Sequence, residues 1–260
     1  MEKLQIGPLA CTLQRNGESD RLLVLVHGGM DRAESMRRLI RQAGPDANVF
    51  AYDRRGYAGS YRPGDAPLLR DHVNDLCALL DFLVEETGIG TESTFLFGHS
   101  MGGVISIGAS IQRKVAGVAV FESPIAWMPE AARTETGDRM VREVTDPEDY
   151  GEGFMRRMVG DKIWERMPTA SRIARRAEGL TLLAEMKDVR ISTPWHARDV
   201  PLPLRIGFGD QSLDHQIANA KLLAKMIPGS SLTQIEGVNH AAHIHASKAL
   251  FTDVIRPLWH

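Results

Sequence analysis

The chain has 260 residues, of which 43% are hydrophobic and 25% charged, and a formal net charge of -2. Those proportions belong to an ordinary globular protein with one substantial core, and the charge gives no field of one sign to draw nucleic acid or an anionic membrane. Two cysteines, Cys11 and Cys77, are too few for a disulfide framework or a cysteine metal site.

The opening stretch MEKLQIGPLACTLQRNGESD has neither a charged start followed by an apolar run nor a cleavage site. No later run is long enough to span a bilayer, so a cytoplasmic protein is expected. Two short strands are expected at 4–6 and 9–13, then a strand at 22–27 (LLVLVH), a helix at 34–42 and a strand at 48–52 (NVFAY). A helix at 69–86, a strand at 94–98 (TFLFG), a helix at 103–114 and a strand at 116–121 (AGVAVF) follow. After a long interval come a strand at 202–208, a helix at 215–226, a strand at 231–235 and a helix at 247–258. Strands alternating with helices make the fold class α/β, with a mostly parallel sheet covered by helices on both faces.

The interval, 125–200, holds helical pieces without a convincing strand and is far longer than a connection requires. It is expected to be a helical cap inserted after the sixth strand into a core made of 1–124 and 201–260. Within it, FMRRMVGDKIWERM is expected to form one amphipathic helix with Met155, Met158, Val159, Ile163 and Met167 on one face. Its interleaved arginines and carboxylates read as a solvated mixed-charge surface.

Between the strand TFLF and the helix near Gly103 lies Gly98-His99-Ser100-Met101-Gly102, a G-x-S-x-G pattern. A sharp strand-to-helix turn strains the serine backbone and leaves room only for glycine on either side, presenting Ser100 to solvent. The start of the following helix lends N–H groups and partial positive charge to an anion formed there.

These residues resemble the α/β-hydrolase superfamily. The resemblance covers nearly the whole chain through HGGM (27–30), DRRGYAGS (53–60), GHSMGG (98–103), GFGD (207–210) and GVNH (237–240), which stand in the family's order. It implies an α/β-hydrolase fold with an eight-stranded, mostly parallel sheet and an acyl-transfer site.

A serine hydroxyl becomes a useful nucleophile only when a neighbouring base takes its proton, and histidine suits that exchange. His240, just after the last strand in IEGVNHAAHIH, resembles the family's histidine loop, with His243 and His245 as alternatives. His27 and His99 read as backbone-bonded neighbours of the motifs, and no spacing among the histidines suggests a metal site.

The acid must fix the imidazole tautomer from a neighbouring strand end. Asp210 meets that demand and gives the family's order Ser100, Asp210, His240, whereas Asp214 reads as the start of the next helix. Glu122, at the end of the sixth strand, is the alternative acid, from a position that some relatives use. Resemblance places the oxyanion donors in the backbones of Met101 and Gly29, with Met30 replacing Gly29 if the loop turns one residue later. DRRGYAGS is expected to be architectural, with Asp53 and Arg55 bracing the loop and Ala58 standing where the family more often has glycine.

The expected reaction is hydrolysis of a small or medium hydrophobic carboxylic ester through an acyl-enzyme on Ser100, with no cofactor and with a small-molecule ester substrate, not nucleic acid, as partner; the oligomeric state is left open. A serine nucleophile argues against the dehalogenase and epoxide hydrolase relatives, which use aspartate there. Lactones, thioesters, carbon–carbon cleavage and acyl transfer remain open, as does a non-catalytic ligand-binding role on the same fold. Trp127, Met128, Phe154, Trp164 and Trp195 are the candidates for an apolar pocket.

Overall fold

Short runs of Leu, Val, Ile and Phe build the sheet. A computed structural model describes residues 1–260. Its strands are β1 (Glu2–Ile6), β2 (Leu9–Gln14), β3 (Leu22–Val26), β4 (Asn48–Tyr52), β5 (Thr94–His99), β6 (Gly117–Phe121), β7 (Leu204–Gly209) and β8 (Ser231–Ile235). They form one eight-stranded sheet in the order β1-β2-β4-β3-β5-β6-β7-β8. β2 runs antiparallel to β1 and β4, and every other pairing is parallel.

β3, β4, β5 and β6 are buried along their whole length because helices cover both faces. Alternation sends Val24, Phe50 and Leu96 to one face, and Leu25, Val49 and Phe97 to the other. The first face packs on α2 (Leu69–Thr87), α3 (Met101–Gln112) and α9 (Asp214–Met226), and the second on α1 (Arg37–Ala43) and the carboxyl-terminal segment. α2 buries Leu69, Val73, Leu76, Leu80 and Leu83 at helical spacing and stops at Gly88, whose φ of 71° is readily adopted only without a β-carbon. No helix is long and apolar enough to cross a membrane.

Two helices depart from expectation. The carboxyl-terminal helix becomes π-helical over Leu250–Ile255 and tightens to a 3₁₀ turn over Arg256–Trp259. Pro257 has no N–H, and its ring excludes the regular α-helical ladder behind it.

Between β6 and β7 lie α4 (Glu135–Arg142), α5 (Pro147–Val159), α6 (Asp161–Arg166), α7 (Thr169–Ala177) and α8 (Gly179–Ile191). The single helix expected across 154–167 is divided at Gly160, which has φ 82° and ψ 151°. Met158 and Ile163 consequently stay 47% and 56% exposed instead of sharing one buried face. Asp146 caps α5 by accepting the Glu148 N–H, with Pro147 preset at its first position. α5 and α8 meet backbone to backbone: a β-carbon on Gly179 would fall 2.0 Å from the Pro147 carbonyl oxygen.

Candidate active site

Ser100 occupies the turn between β5 and α3 with φ 52° and ψ -123°, a conformation that a side chain rarely tolerates. Its N–H donates to Phe121 O at 2.9 Å and its carbonyl accepts from Gly103 N at 2.9 Å, so both ends of the turn are fastened. The neighbouring glycines are steric necessities. A β-carbon on Gly98 would stand 2.4 Å from Gly102 O, and one on Gly102 would stand 2.1 Å from Val26 O.

The carboxylate beside His240 is that of Glu122. Its Oε2 lies 2.6 Å from His240 Nδ1, while Oε1 accepts from Gly209 N at 2.8 Å and Ser212 Oγ at 2.5 Å. These bonds hold a buried carboxylate in one orientation and leave Nε2 as the other ring nitrogen of His240. Asp210, the acid expected from chain order, is committed elsewhere. Its Oδ1 accepts the N–H groups of Gly237 at 2.7 Å and Val238 at 3.3 Å, clamping the loop that carries His240. Asp214 opens α9 as anticipated.

His99 donates from Nε2 to His240 O at 2.7 Å, the backbone bond expected for it. Burial first, then the neighbouring His243 and His240, push its imidazole well below the usual histidine range. His243 Nε2 stands 3.0 Å from Asp31 Oδ2, and His245 is exposed, so neither replaces His240 beside Glu122.

The Gly28–Gly29 loop is held from beneath. His27 Nδ1 lies 2.7 Å from Gly28 O, Arg54 Nη2 donates to that same oxygen at 3.0 Å, and Arg54 N donates to His27 Nε2 at 2.9 Å. Those bonds require the Nδ1–H tautomer of neutral His27, whose pKa burial and the Arg54 charge push down to about 3. Because the peptide is planar and trans, a Gly28 carbonyl turned toward Arg54 turns the Gly29 N–H the opposite way. That N–H has no partner within the chain. Met101 begins α3, where an N–H has no intrahelical acceptor. Gly28 approaches the turn closely, since a β-carbon there would stand 3.1 Å from Ser100 Cβ.

Arg54 and its partner were missed by sequence reasoning. Arg54 Nη1 donates to Glu185 Oε1 on α8 at 2.5 Å, with both side chains fully buried. Tyr57 Oη donates to Glu185 Oε2 at 2.9 Å, and His72 Nε2 lies 2.7 Å from Oε1. Burial raises the Glu185 carboxyl, but Arg54 and His72 outweigh it and hold the value at about 2. Asp53 braces its loop as expected, accepting from Ala33 N at 2.8 Å and Gly59 N at 3.0 Å. Arg55 instead turns outward to Asp75 on α2.

Ser100 and His240 line two adjoining cavities, of about 560 Å³ and about 830 Å³. The smaller is walled by Gly28, Gly29, Met30, Met155 and Met167, the larger by Glu122, Met140, Tyr150, Met186 and Val189, and Phe154 and Met158 border both. Of the aromatic and methionine candidates for the pocket, only Phe154 is there. Trp127 and Trp195 pack edge to face at 4.8 Å, with Trp195 Nε1 donating to Val104 O. Trp164 is buried in a separate cluster with Tyr150 and Met155, and Met128 packs on the main core.

A family model described as "Alpha/beta hydrolase family" matches residues 23–253. The solved structure of a hydrolase from Pseudomonas aeruginosa PA01 is similar at 19% identity, covering 96% of this chain and 97% of that one, with a TM-score of 0.69. A 2-hydroxy-6-oxo-6-phenylhexa-2,4-dienoate hydrolase from Rhodococcus sp. strain RHA1 is similar at 20% identity, 93% and 91% coverage and a TM-score of 0.69. A thermophilic esterase from Thermogutta terrifontis is similar at 16% identity, 96% and 95% coverage and a TM-score of 0.66. The search of curated protein sequences finds no match.

Proposed function

The chain belongs to the α/β hydrolase family, and from that premise we propose that it is a serine hydrolase of carboxylic esters acting through Ser100, His240 and Glu122. The carrying observation is the 2.6 Å contact between Glu122 Oε2 and His240 Nδ1, made where His240 shares its cavities with Ser100. A carboxylate on Nδ1 keeps that proton in place and frees Nε2 to take the one from the Ser100 hydroxyl.

Ser100 Oγ attacks the ester carbonyl, and the oxyanion that forms is met by the N–H groups of Gly29 and Met101. The imidazolium returns its proton to the departing alcohol, leaving an acyl group on Ser100. Water, deprotonated by His240, then attacks the acyl carbonyl and releases the acid and the free serine. The two cavities take the acyl and alcohol portions, and helices α4 to α8 serve as the cap above them. Their volumes and the apolar wall made by Phe154 and the methionines suit a small or medium hydrophobic ester, while Arg175 in the smaller cavity and Arg157 and Arg190 in the larger add a polar rim.

A fluorophosphonate probe and a series of p-nitrophenyl esters of increasing acyl length test this reading. Wild type is expected to label and turn over, and Ser100→Ala to do neither. Glu122→Gln is expected to lower kcat about 10³–10⁴-fold by removing the charge that stabilises the imidazolium. Asp210→Asn, which alters a loop clamp, is expected to stay within about tenfold of wild type. Equal slow turnover by wild type and Ser100→Ala would leave a ligand-binding protein, and a crippled Asp210→Asn beside an active Glu122→Gln would return the acid to position 210.

A further inference from the structure

Three side chains that the hydrolytic reading does not use as reactants converge on the wall of the smaller cavity: Asp31, His99 and His243. Their ligating atoms all lie within 4.8 Å of one another. They come from the HGGM loop, the nucleophile turn and the segment after His240, so the sequence offers no spacing by which to recognise the group.

The chemistry of each donor is fixed by its other contacts. The His240 carbonyl can only accept, so the 2.7 Å bond to His99 Nε2 requires the proton there and leaves a bare lone pair on Nδ1. That Nδ1 is buried and has no partner. His243 is buried too, and neither of its ring nitrogens makes a well-aligned hydrogen bond, although Nε2 stands 3.0 Å from Asp31 Oδ2. Asp31 turns Oδ2 toward that Nε2, while its Oδ1 accepts the Arg32 N–H at 2.9 Å. Unpartnered buried nitrogens carry a desolvation cost that a ligand would remove.

We propose that Asp31, His99 and His243 form a binding site for a divalent transition-metal ion of the zinc class, beside the reacting serine and separate from the Ser100, His240 and Glu122 machinery. Two imidazoles and one carboxylate are the donor set of borderline ions such as Zn²⁺, Ni²⁺ and Cu²⁺, whereas Mg²⁺ and Ca²⁺ prefer all-oxygen sites. Donors on one tetrahedral zinc stand about 3.3 Å apart given zinc–ligand bonds of about 2.0–2.1 Å. The His243–Asp31 pair is already that close, with Asp31 Oδ1 held by the Arg32 N–H at 2.9 Å and Oδ2 turned toward His243, so small shifts of the His99 and His243 rings would close the remaining gap. Three protein ligands leave a fourth position facing the cavity that Ser100 lines.

Isothermal titration of the untagged, metal-stripped protein with zinc chloride tests the site, with magnesium chloride as the control. One zinc per chain and no magnesium binding are expected. His243→Ala and Asp31→Asn are each expected to weaken zinc binding by at least about tenfold, while His240→Ala leaves it in place. No zinc binding to wild type overturns the proposal, as does binding that survives both ligand variants or disappears with His240→Ala. If a variant fails to fold, copper(II) electron paramagnetic resonance on wild type decides: coupling to two imidazole nitrogens is expected, and coupling to fewer overturns the site.

Discussion

At Gly102 a methyl group has nowhere to go. A β-carbon would lie 2.1 Å from Val26 O and 2.7 Å from His27 O, and both are backbone atoms that cannot rotate away. Gly102→Ala is therefore expected to destabilise the protein by about 3 kcal/mol or more, because relief requires moving β3 against α3. Thermal unfolding measures this, and a melting temperature unchanged from wild type would show that the turn yields more readily than its contacts imply. The placement of Ser100 in a strand-to-helix turn and of His240 in the loop after the last strand was legible from the sequence, because a turn and a short loop carry their own local signals. Which carboxylate lies against His240 was not. β6 and β7 are hydrogen-bonded neighbours, with Phe121 opposite Gly207, so Glu122 and Asp210 leave adjacent strand ends close together in space. Which one turns toward His240 is decided by Gly209 N and Ser212 Oγ binding Glu122 and by the Gly237 and Val238 amides binding Asp210, none of which chain order expresses.

One buried ion pair joins α8 to the loop beneath Gly28. Arg54 holds Glu185 through Nη1 and Nη2, while Nε donates to His27 O at 2.9 Å and Nη2 also donates to Gly28 O at 3.0 Å. Removing one partner leaves a buried charge without compensation, so Glu185→Gln is expected to cost about 3–5 kcal/mol, measured by urea unfolding. Replacing both, as Arg54→Met with Glu185→Leu, removes the uncompensated charge but strips Tyr57 Oη and His72 Nε2 of their acceptor, so it is expected to recover only part of that stability. Activity in the double variant is expected to stay below wild type, because the Gly28 carbonyl then keeps only its His27 Nδ1 bond and loses the Arg54 donor that, through the same peptide plane, helps aim the Gly29 N–H. Full activity in the double variant would show that the loop holds its shape without Arg54. The sequence revealed the strands and the long helices, whose apolar residues repeat at two or at three to four positions. It did not reveal a partnership between positions 54 and 185, which depends on how α8 lies over the sheet. Gly160 was visible in the sequence, yet an amphipathic pattern continued across it and concealed the break between α5 and α6.

Several histidines of this protein are built into the fold in the neutral form, and that ties the stability of the whole molecule to pH. Burial, followed by the Arg54 charge, lowers the pKa of His27 to about 3 from an ordinary 6.5, and burial likewise lowers His72 and His99. Between pH 6.5 and 3 the unfolded chain takes up a proton at position 27 that the native protein refuses. Stability is accordingly full above 6.5 and declines as the pH falls through that window. Glu185 acts in the same direction lower down: it is held at about 2 against an ordinary 4.5, so its contribution is lost below 4.5 as the unfolded chain becomes protonated there. Glu178, raised by burial despite Arg175 and Arg32, opposes the trend only near its own range. The histidines therefore dominate at mildly acidic pH, and the melting temperature is expected to fall steadily from pH 7 to pH 5. The loss at pH 5 should be on the order of 2 kcal/mol for His27, with His72 and His99 acting in the same direction. His27→Gln retains a donor and an acceptor without a group that titrates in this window, and is expected to flatten the slope. A wild-type melting temperature that stays level from pH 7 to pH 5, or a slope that His27→Gln leaves unchanged, would show that protonated His27 is accommodated in the folded protein.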